Sequence, residues 1–235
     1  MNVRRRLEQL AGRHGLTPAA VGALERLLEL LQGDPMAPTT VRDPATAVDA
    51  HVADALVALE LDRVRSARRI ADLGAGAGFP GLVLAAALPD AEVALVEASG
   101  RKCAFLDRVV AEMGLRNVVT VAERAESWTG GIGSRDLVTA RAVARLAVLV
   151  EYAAPLLAPE GALVAWKGRR EGGEERDGTA AAAATGLEAV EVRPVQPWGG
   201  AEHLHLHVYV KVASTPNRYP RRPGMASKRP LRAST

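Results

Sequence analysis

Ile70-Ala71-Asp72-Leu73 runs straight into Gly74-Ala75-Gly76-Ala77-Gly78-Phe79-Pro80-Gly81, and an Ala/Leu-rich segment begins at Leu82. An apolar run, glycines at alternate positions and a helical pattern together predict a strand, a tight turn and a helix. Gly74 permits the backbone reversal, Gly76 lets a ligand approach with no Cβ in the way, and Gly78 lets the helix start close to the strand. A second apolar run, Val93-Ala94-Leu95-Val96, ends in Glu97. A carboxylate at the tip of the second strand of a βαβ unit can accept hydrogen bonds from both hydroxyls of a ribose.

The glycine spacing separates one cofactor from another. A dinucleotide fingerprint places glycines first, third and sixth, and the sixth position counted from Gly74 is Phe79. No Gly-Lys-Ser/Thr follows, which argues against a phosphate-cradling loop. A ligand with a ribose and no phosphate chain remains, and that points to S-adenosylmethionine. The alternative is a purely structural turn.

Composition narrows the setting. With 235 residues the chain can hold one α/β domain and a small extension. Aromatic residues are only 3%, so the core must be built of Ala, Val and Leu, and rows of stacking rings for nucleic acid are not expected. The single cysteine, Cys103, excludes a disulfide framework and a cysteine metal cluster, as suits a reducing cytoplasm. No apolar run approaches the roughly 18 residues of a membrane span, and the start Met1 to Glu8 lacks the apolar stretch of a signal peptide. The net charge of +3 is unevenly spread: after Glu202 there is no acid, while Lys211, Arg218, Arg221, Arg222, Lys228, Arg229 and Arg232 are all basic. Such a tail is either a solvated end or a strip that neutralises phosphates.

Three segments follow: a helical extension over 1–62, an α/β domain over 63–213 and a basic tail over 214–235. In the extension, apolar periodicity predicts one or two helices over 4–31 and another from Val48 to Leu61, which carries His51 and Asp54 one turn apart. That pair reads as exposed or capping rather than catalytic. Strands are expected at 69–74, 92–97, 117–122, 136–141 and 161–167, with helices near 80–88, 100–113 and 144–157. The alternation predicts a mostly parallel Rossmann-like sheet with helices on both faces. Residues 171–185 read as a loop leading into a weak helix, and strands near 187–194 and 203–212 close the domain. His203, His205 and His207 alternate with Leu204, Leu206 and Val208, which reads as a partly exposed sheet edge rather than a metal site. Cys103 reads as core packing.

Open α/β sheets bind ligands at the carboxyl ends of their strands. After the third strand come Arg124-Ala125-Glu126, where the Ala125 main chain and the Glu126 carboxylate are placed to read an adenine. Arg141 and Lys167 end the fourth and fifth strands. Two cations beside a sulfonium make sense if nucleic-acid phosphates arrive at the same rim. The plainer reading is that Arg141 pairs with Asp72 or Glu97. The fourth strand leads into Thr139-Ala140-Arg141-Ala142-Val143 and lacks the Asn/Asp-Pro-Pro-aromatic turn that serves amino methylation. A ring nitrogen with a free lone pair, such as guanine N7, needs neither that turn nor a general base. Proximity and alignment, worth roughly 7–11 kcal/mol, then carry the reaction, and no catalytic side chain is expected beyond a positioning role for Arg141.

With these residues in view the chain resembles the bacterial small-subunit ribosomal RNA guanine-N7 methyltransferases, once called glucose-inhibited division protein B. The resemblance spans Val41-Arg42-Asp43-Pro44, the His51/Asp54 pair, Asp72 to Gly81, Arg101-Lys102, Ala125-Glu126, Arg141-Ala142, Lys167-Gly168, His203-Leu204 and the tail from Arg218-Tyr219-Pro220 to Leu231. It implies a class I S-adenosylmethionine-dependent methyltransferase fold and transfer of a methyl group to guanine N7 in 16S rRNA. Implied cofactor contacts are Gly74, Phe79, Ala125, Glu126 and Arg141, beside Gly76 and Glu97 already read from the turn and the strand end. Implied RNA contacts are Arg124, Arg141, Lys167, Arg218, Arg221 and Arg222. The implied partner is 16S rRNA within the small ribosomal subunit or its precursor, met by a monomer without metal or membrane. Pro38-Thr39-Thr40 and Glu202 depart from the family pattern of Asn-Leu-Thr and arginine. Two other readings stay open on the same scaffold: a small-molecule methyltransferase, and a non-catalytic RNA-binding assembly protein.

Overall fold

A computed structural model describes residues 2–233. Helices α1 (Val3–His14) and α2 (Pro18–Gly33) open the chain. The Asn2 and Thr17 side chains cap them by accepting the backbone N–H of Arg5 and Ala20. Seven strands make one sheet: β1 (Arg69–Leu73), β2 (Glu92–Val96), β3 (Val118–Val121), β4 (Arg135–Arg141), β5 (Leu157–Lys167), β6 (Leu187–Val195) and β7 (Leu204–Lys211). Their order is β3-β2-β1-β4-β5-β7-β6, parallel from β3 through β5, with β7 antiparallel to both β5 and β6. The connecting helices are α3 (Gly81–Ala87), α4 (Gly100–Glu112), α5 (Leu146–Ala153) and α6 (Gly172–Thr185).

Strand alternation sorts the core into two layers. Ile70, Val93, Leu95, Leu137 and Val164 face one side, in a continuous apolar cluster with Leu7, Leu24 and Leu28 of the extension and with Leu82 and Leu106 of α3 and α4. Ala71, Leu73, Val96, Val138 and Leu163 face the other, under Leu149 and Val150 of α5 and Ala181 and Ala182 of α6. Helices therefore cover both faces, as expected, and the extension shares its core with the sheet.

Four expectations needed correction. The last strand is not an edge: β7 lies between β5 and β6. Its histidine-bearing face is closed at His207, only 2% exposed, and at Tyr209 in the second core layer, while His205 is half-buried and His203, just before the strand, is exposed. Alternation reports which face a residue points to, not which strand lies alongside. Helix α6 also starts at Gly172, after a short connection over 168–171, so the charged stretch expected as loop is helical. Its charged first turn is held by tertiary contacts: Glu174 accepts the Leu146 N–H at 2.8 Å and pairs with Lys167 at 2.6 Å. The helical run of the extension is broken into Pro44–Ala47, a π-helical turn Val48–Ala53, Asp54–Leu56 and a 3₁₀ turn Val57–Glu60. That wide turn buries His51 and Asp54, which are neither exposed nor capping. Finally, the tail folds back onto the domain: Arg221 forms a bidentate pair with the fully buried Glu151, Gly224 donates its N–H to Glu126 at 3.0 Å, and Ala233 donates to Asp177 at 3.0 Å. Among the described residues no helix is long and apolar enough to cross a membrane.

At Gly81 the helix start packs directly on the strands: a Cβ there would press into the Leu95 side chain and come within 2.8 Å of Asp72 Oδ2. Gly22, inside α2, has nothing within 4 Å of a Cβ position. Gly81→Ala is expected to lower unfolding free energy by about 1–3 kcal/mol, through overpacking. Gly22→Ala should raise it by about 0.5–1 kcal/mol, through helix propensity. Urea unfolding of the two variants checks both signs.

Candidate active site

The carboxyl ends of β1, β2, β4 and β5 meet on one rim. Gly74 (φ 65°) turns the chain off β1 and donates its N–H to Val96 at 2.8 Å, tying the turn to β2. At Gly76 (φ 57°) a Cβ would meet only the Gly74 carbonyl, at 3.6 Å, so this face of the turn is open. Glu97, 7% exposed, stands beside it: Oε2 accepts the Gly76 N–H at 3.2 Å, Oε1 accepts the Ser99 N–H at 2.9 Å, and Lys102 Nζ lies 3.8 Å away. The carboxylate is thus fixed in place and retains lone pairs for further donors. An open glycine face beside a held acid fits the adenosine of S-adenosylmethionine.

Beneath the turn, Asp72 is fully buried and accepts the Gly81 N–H at 3.0 Å and the Thr139 hydroxyl at 2.8 Å. Burial pushes its carboxyl up to about 7. Cys103 donates its thiol to the Glu97 carbonyl at 3.1 Å, and burial, then the Glu97 charge, raises it; it is a wall residue and not a nucleophile.

Arg141 at the tip of β4 pairs with neither Asp72 nor Glu97. It reaches across to the extension: Nη1 lies 2.6 Å from Asp54 Oδ2 and 3.1 Å from the Ala50 carbonyl, and Nη2 lies 3.1 Å from His51 Nδ1. Its guanidinium sits 5.4 Å from the centre of the Phe79 ring, and His51 stacks on that ring at 4.4 Å. Arg141 can only donate, so His51 Nδ1 accepts and the ring proton resides on Nε2, 3.0 Å from Thr39 Oγ1. Burial, then the Arg141 charge, lowers His51 to about 4. Trp166 closes the group by donating its indole N–H to the Asp54 carbonyl at 2.8 Å. Immediately after Arg141, Ala142 holds a left-handed φ of 57° and turns the chain away from the strand tip.

The expected cationic rim is internally paired. Arg141 is matched by Asp54, and Lys167 lies 2.6 Å from Glu174. Arg221 is spent on Glu151, which makes it an anchor of the tail. Glu126 gives one oxygen to the tail, and Ala125 lies half-buried in a 3₁₀ turn above the second core layer. Arg124, Arg218 and Arg222 are exposed, as are Lys228, Arg229 and Arg232.

The structure therefore gathers Gly74, Gly76, Phe79, Glu97, Arg141 and Lys167 around the strand tips. It adds His51, Asp54, Trp166 and Glu174, whose parts in the site no local pattern announced. One signal was available: His51 and Asp54 are polar residues one turn apart within an otherwise apolar helical run, and burial obliges such groups to find partners.

The family model described as rRNA small subunit methyltransferase G matches residues 21–204. The chain is 38% identical to ribosomal RNA small subunit methyltransferase G of Desulfitobacterium hafniense, over 82% of this chain and 81% of that protein. It is 43% identical to the protein of the same name from Roseiflexus castenholzii, over 82% and 83% of the two chains. Among solved structures, a 16S rRNA (adenine(1408)-N(1))-methyltransferase mutant with cosubstrate SAM from Catenulisporales acidiphilia superposes with a TM-score of 0.52 at 21% identity, covering 66% of this chain and 89% of that one. The Methanococcus jannaschii fibrillarin pre-rRNA processing protein superposes with a TM-score of 0.54 at 17% identity, over 69% and 74%. At those identities the structures show the shared fold.

The lowered His51 gives a pH test. Its folded value, about 4, lies below the unfolded 6.5, so its contribution to stability is complete above pH 6.5 and is lost as the pH falls toward 4. His51→Gln removes the titration. The gap in unfolding free energy between wild type and His51→Gln should shrink by about 2 kcal/mol between pH 7 and pH 4.5, as read by urea denaturation. A gap independent of pH would contradict the neutral, Arg141-bound imidazole.

Proposed function

The chain belongs to the rRNA small subunit methyltransferase G family, and from that premise we propose that it transfers a methyl group from S-adenosylmethionine to N7 of a guanine in 16S rRNA. The observation that carries this reading is the open Gly76 face beside the fixed Glu97 carboxylate, set against a strand tip, Thr139-Ala140-Arg141-Ala142-Val143, that offers no amine-binding turn. Its setting is the cytoplasm, and its substrate is the small ribosomal subunit or a precursor, approached as a monomer.

S-adenosylmethionine would supply a methyl group on a positively charged sulfur: guanine N7 attacks the methyl carbon with its own lone pair as the S–CH3 bond breaks and the neutral thioether S-adenosylhomocysteine leaves, so no side chain has to remove a proton. Glu97 would hold the ribose hydroxyls. The Gly74 to Gly78 turn would let the main chain come up against the cofactor, and Phe79, with the Arg141 guanidinium over its ring, would wall the site beside it. Because Arg141 is matched by Asp54, the site adds little net positive charge beside the sulfonium. Water is kept out by Phe79, His51 and Trp166, all less than 9% exposed.

RNA affinity then falls to the exposed cations of the folded-back tail, together with Arg124. Removing the tail is a poor test, because it would strand the buried Glu151 carboxylate and destabilise the fold. Point substitutions are cleaner. A triple variant of Arg218, Arg222 and Arg229 to Ala should weaken RNA binding and reduce the slope of log K against log salt by about 2–3, leaving cofactor affinity unchanged. Glu97→Ala should do the reverse, with cofactor binding lost by calorimetry. The reaction itself is read by mapping methylated guanines in 16S rRNA from cells with and without the gene. A map that keeps every methylated guanine would refute the function and leave the small-molecule and assembly readings.

A further inference from the structure

Beyond the Arg141 pair lies a cleft of about 280 Å³, lined by Asp54, Arg141, Trp166, Lys167 and Leu204. Its size suits a single ring system. Most of its polar groups are donors or are already engaged. Arg141 and Lys167 can only donate, and the Trp166 indole N–H is used on the Asp54 carbonyl.

Asp54 is the exception. It is 7% exposed, and Arg141, at Oδ2, is the only hydrogen-bond donor to its carboxylate among the described residues. Oδ1 has no protein donor, and it is not sealed in the interior either, because the sole fully enclosed side-chain atom without a partner among the described residues is Thr120 Oγ1. Asp54 lines this cleft, and its unpartnered, incompletely enclosed Oδ1 is the one side-chain acceptor there with no donor among the described residues. Buried carboxylates do not persist half-satisfied without a reason. The Arg141 pair fixes the rotamer and opposes the upward push of burial on the carboxyl, keeping it available as an acceptor.

The bases differ in what they offer such an oxygen. Guanine alone carries two adjacent donors, N1–H and the exocyclic amine, on one edge, and it also presents O6 as an acceptor for a neighbouring cation. Adenine shows a bare N1 at the same place. We propose, on the basis of the function inferred above, that Asp54 selects guanine by accepting hydrogen bonds from N1–H and the exocyclic amine of the base in this cleft. Arg141 thereby has two tasks, one toward the cofactor wall and one in orienting the carboxylate that reads the base.

Once the methylated guanine has been mapped, small subunits can be reconstituted with inosine at that position, which removes only the exocyclic amine. Wild-type protein should methylate inosine roughly 10–100-fold less efficiently in kcat/KM, the range for a hydrogen bond to a charged acceptor. Asp54→Asn should be slow on both substrates, with a guanine-to-inosine ratio near one, while calorimetry shows that the cofactor still binds. A carboxylate that merely anchors Arg141 would instead lower both rates and keep the wild-type ratio, which overturns the proposal. So does a wild-type protein indifferent to the inosine exchange, a result that needs no variant to fold. Absence of methyl transfer to the unmodified guanine subunit would be a different failure, refuting the function itself.

Discussion

Arg141 joins two parts of the chain that local structure would leave independent. Its guanidinium ends a buried strand, yet three of its partners, Ala50, His51 and Asp54, belong to the extension some 90 positions earlier. A pair this buried is a poor source of net stability, because both charges lose their water. What it provides is position: if Arg141 shifts, the Asp54 carboxylate is left without its counter-charge, so the extension has one docked arrangement on the strand tips. The π-helical turn Val48–Ala53 serves the same end. A regular α-helix would rotate His51 relative to Asp54, whereas the widened turn lets His51 stack on Phe79 while Asp54, just past it, meets the guanidinium.

Electrostatics divides the molecule by task. At the strand tips each cation is matched: Arg141 by Asp54 and Lys167 by Glu174. Matched pairs in a closed site orient groups without repelling a sulfonium. Exposed cations gather on the tail, at Arg218, Arg222, Lys228, Arg229 and Arg232, and the tail is held beside the domain by Arg221 on the buried Glu151, by the Gly224 N–H on Glu126 and by the buried Ala226. A polyanion would thus be drawn by one surface and a neutral base read by another, as follows when phosphate contacts set affinity and base contacts set identity.

The parts of the fold legible in the sequence were those with local causes. Strands β1 to β4 are short, mostly apolar runs whose ends are marked by Gly74, Glu97, Glu123 and Arg141, and the glycine turn and Glu97 were placed by spacing alone. What escaped was anything fixed by contact between distant segments. His51 and Asp54 looked like surface residues because their partner is on β4. The histidine face of β7 looked like an edge because nothing local indicates that β6 and not β7 would take the outside position. The charged start of α6 looked like loop because Glu174 is explained only by Leu146 and Lys167. Glu126 was read as an adenine contact, and the tail donor that occupies one of its oxygens lies 98 positions away.

That last contact links the two surfaces. The 3₁₀ turn Ala125–Ser127 lies at the end of β3, on the side where the adenine of a ribose-anchored cofactor would extend from Glu97. The tail segment that grips it is continuous with the exposed arginines. A hydrogen bond between a loop that borders one ligand and a strap that meets another gives each a route to the other's geometry, provided both occupy alternative arrangements. The tail is stitched down at Glu151, Glu126 and Asp177, with Tyr152 lying 3.1 Å from Ser227 between them. Most of these contacts are single hydrogen bonds to exposed or half-buried groups, the kind that opens locally without unfolding the domain. The Arg221 pair with buried Glu151 and the apolar contacts of Ala226 and Leu231 are the buried parts of that attachment.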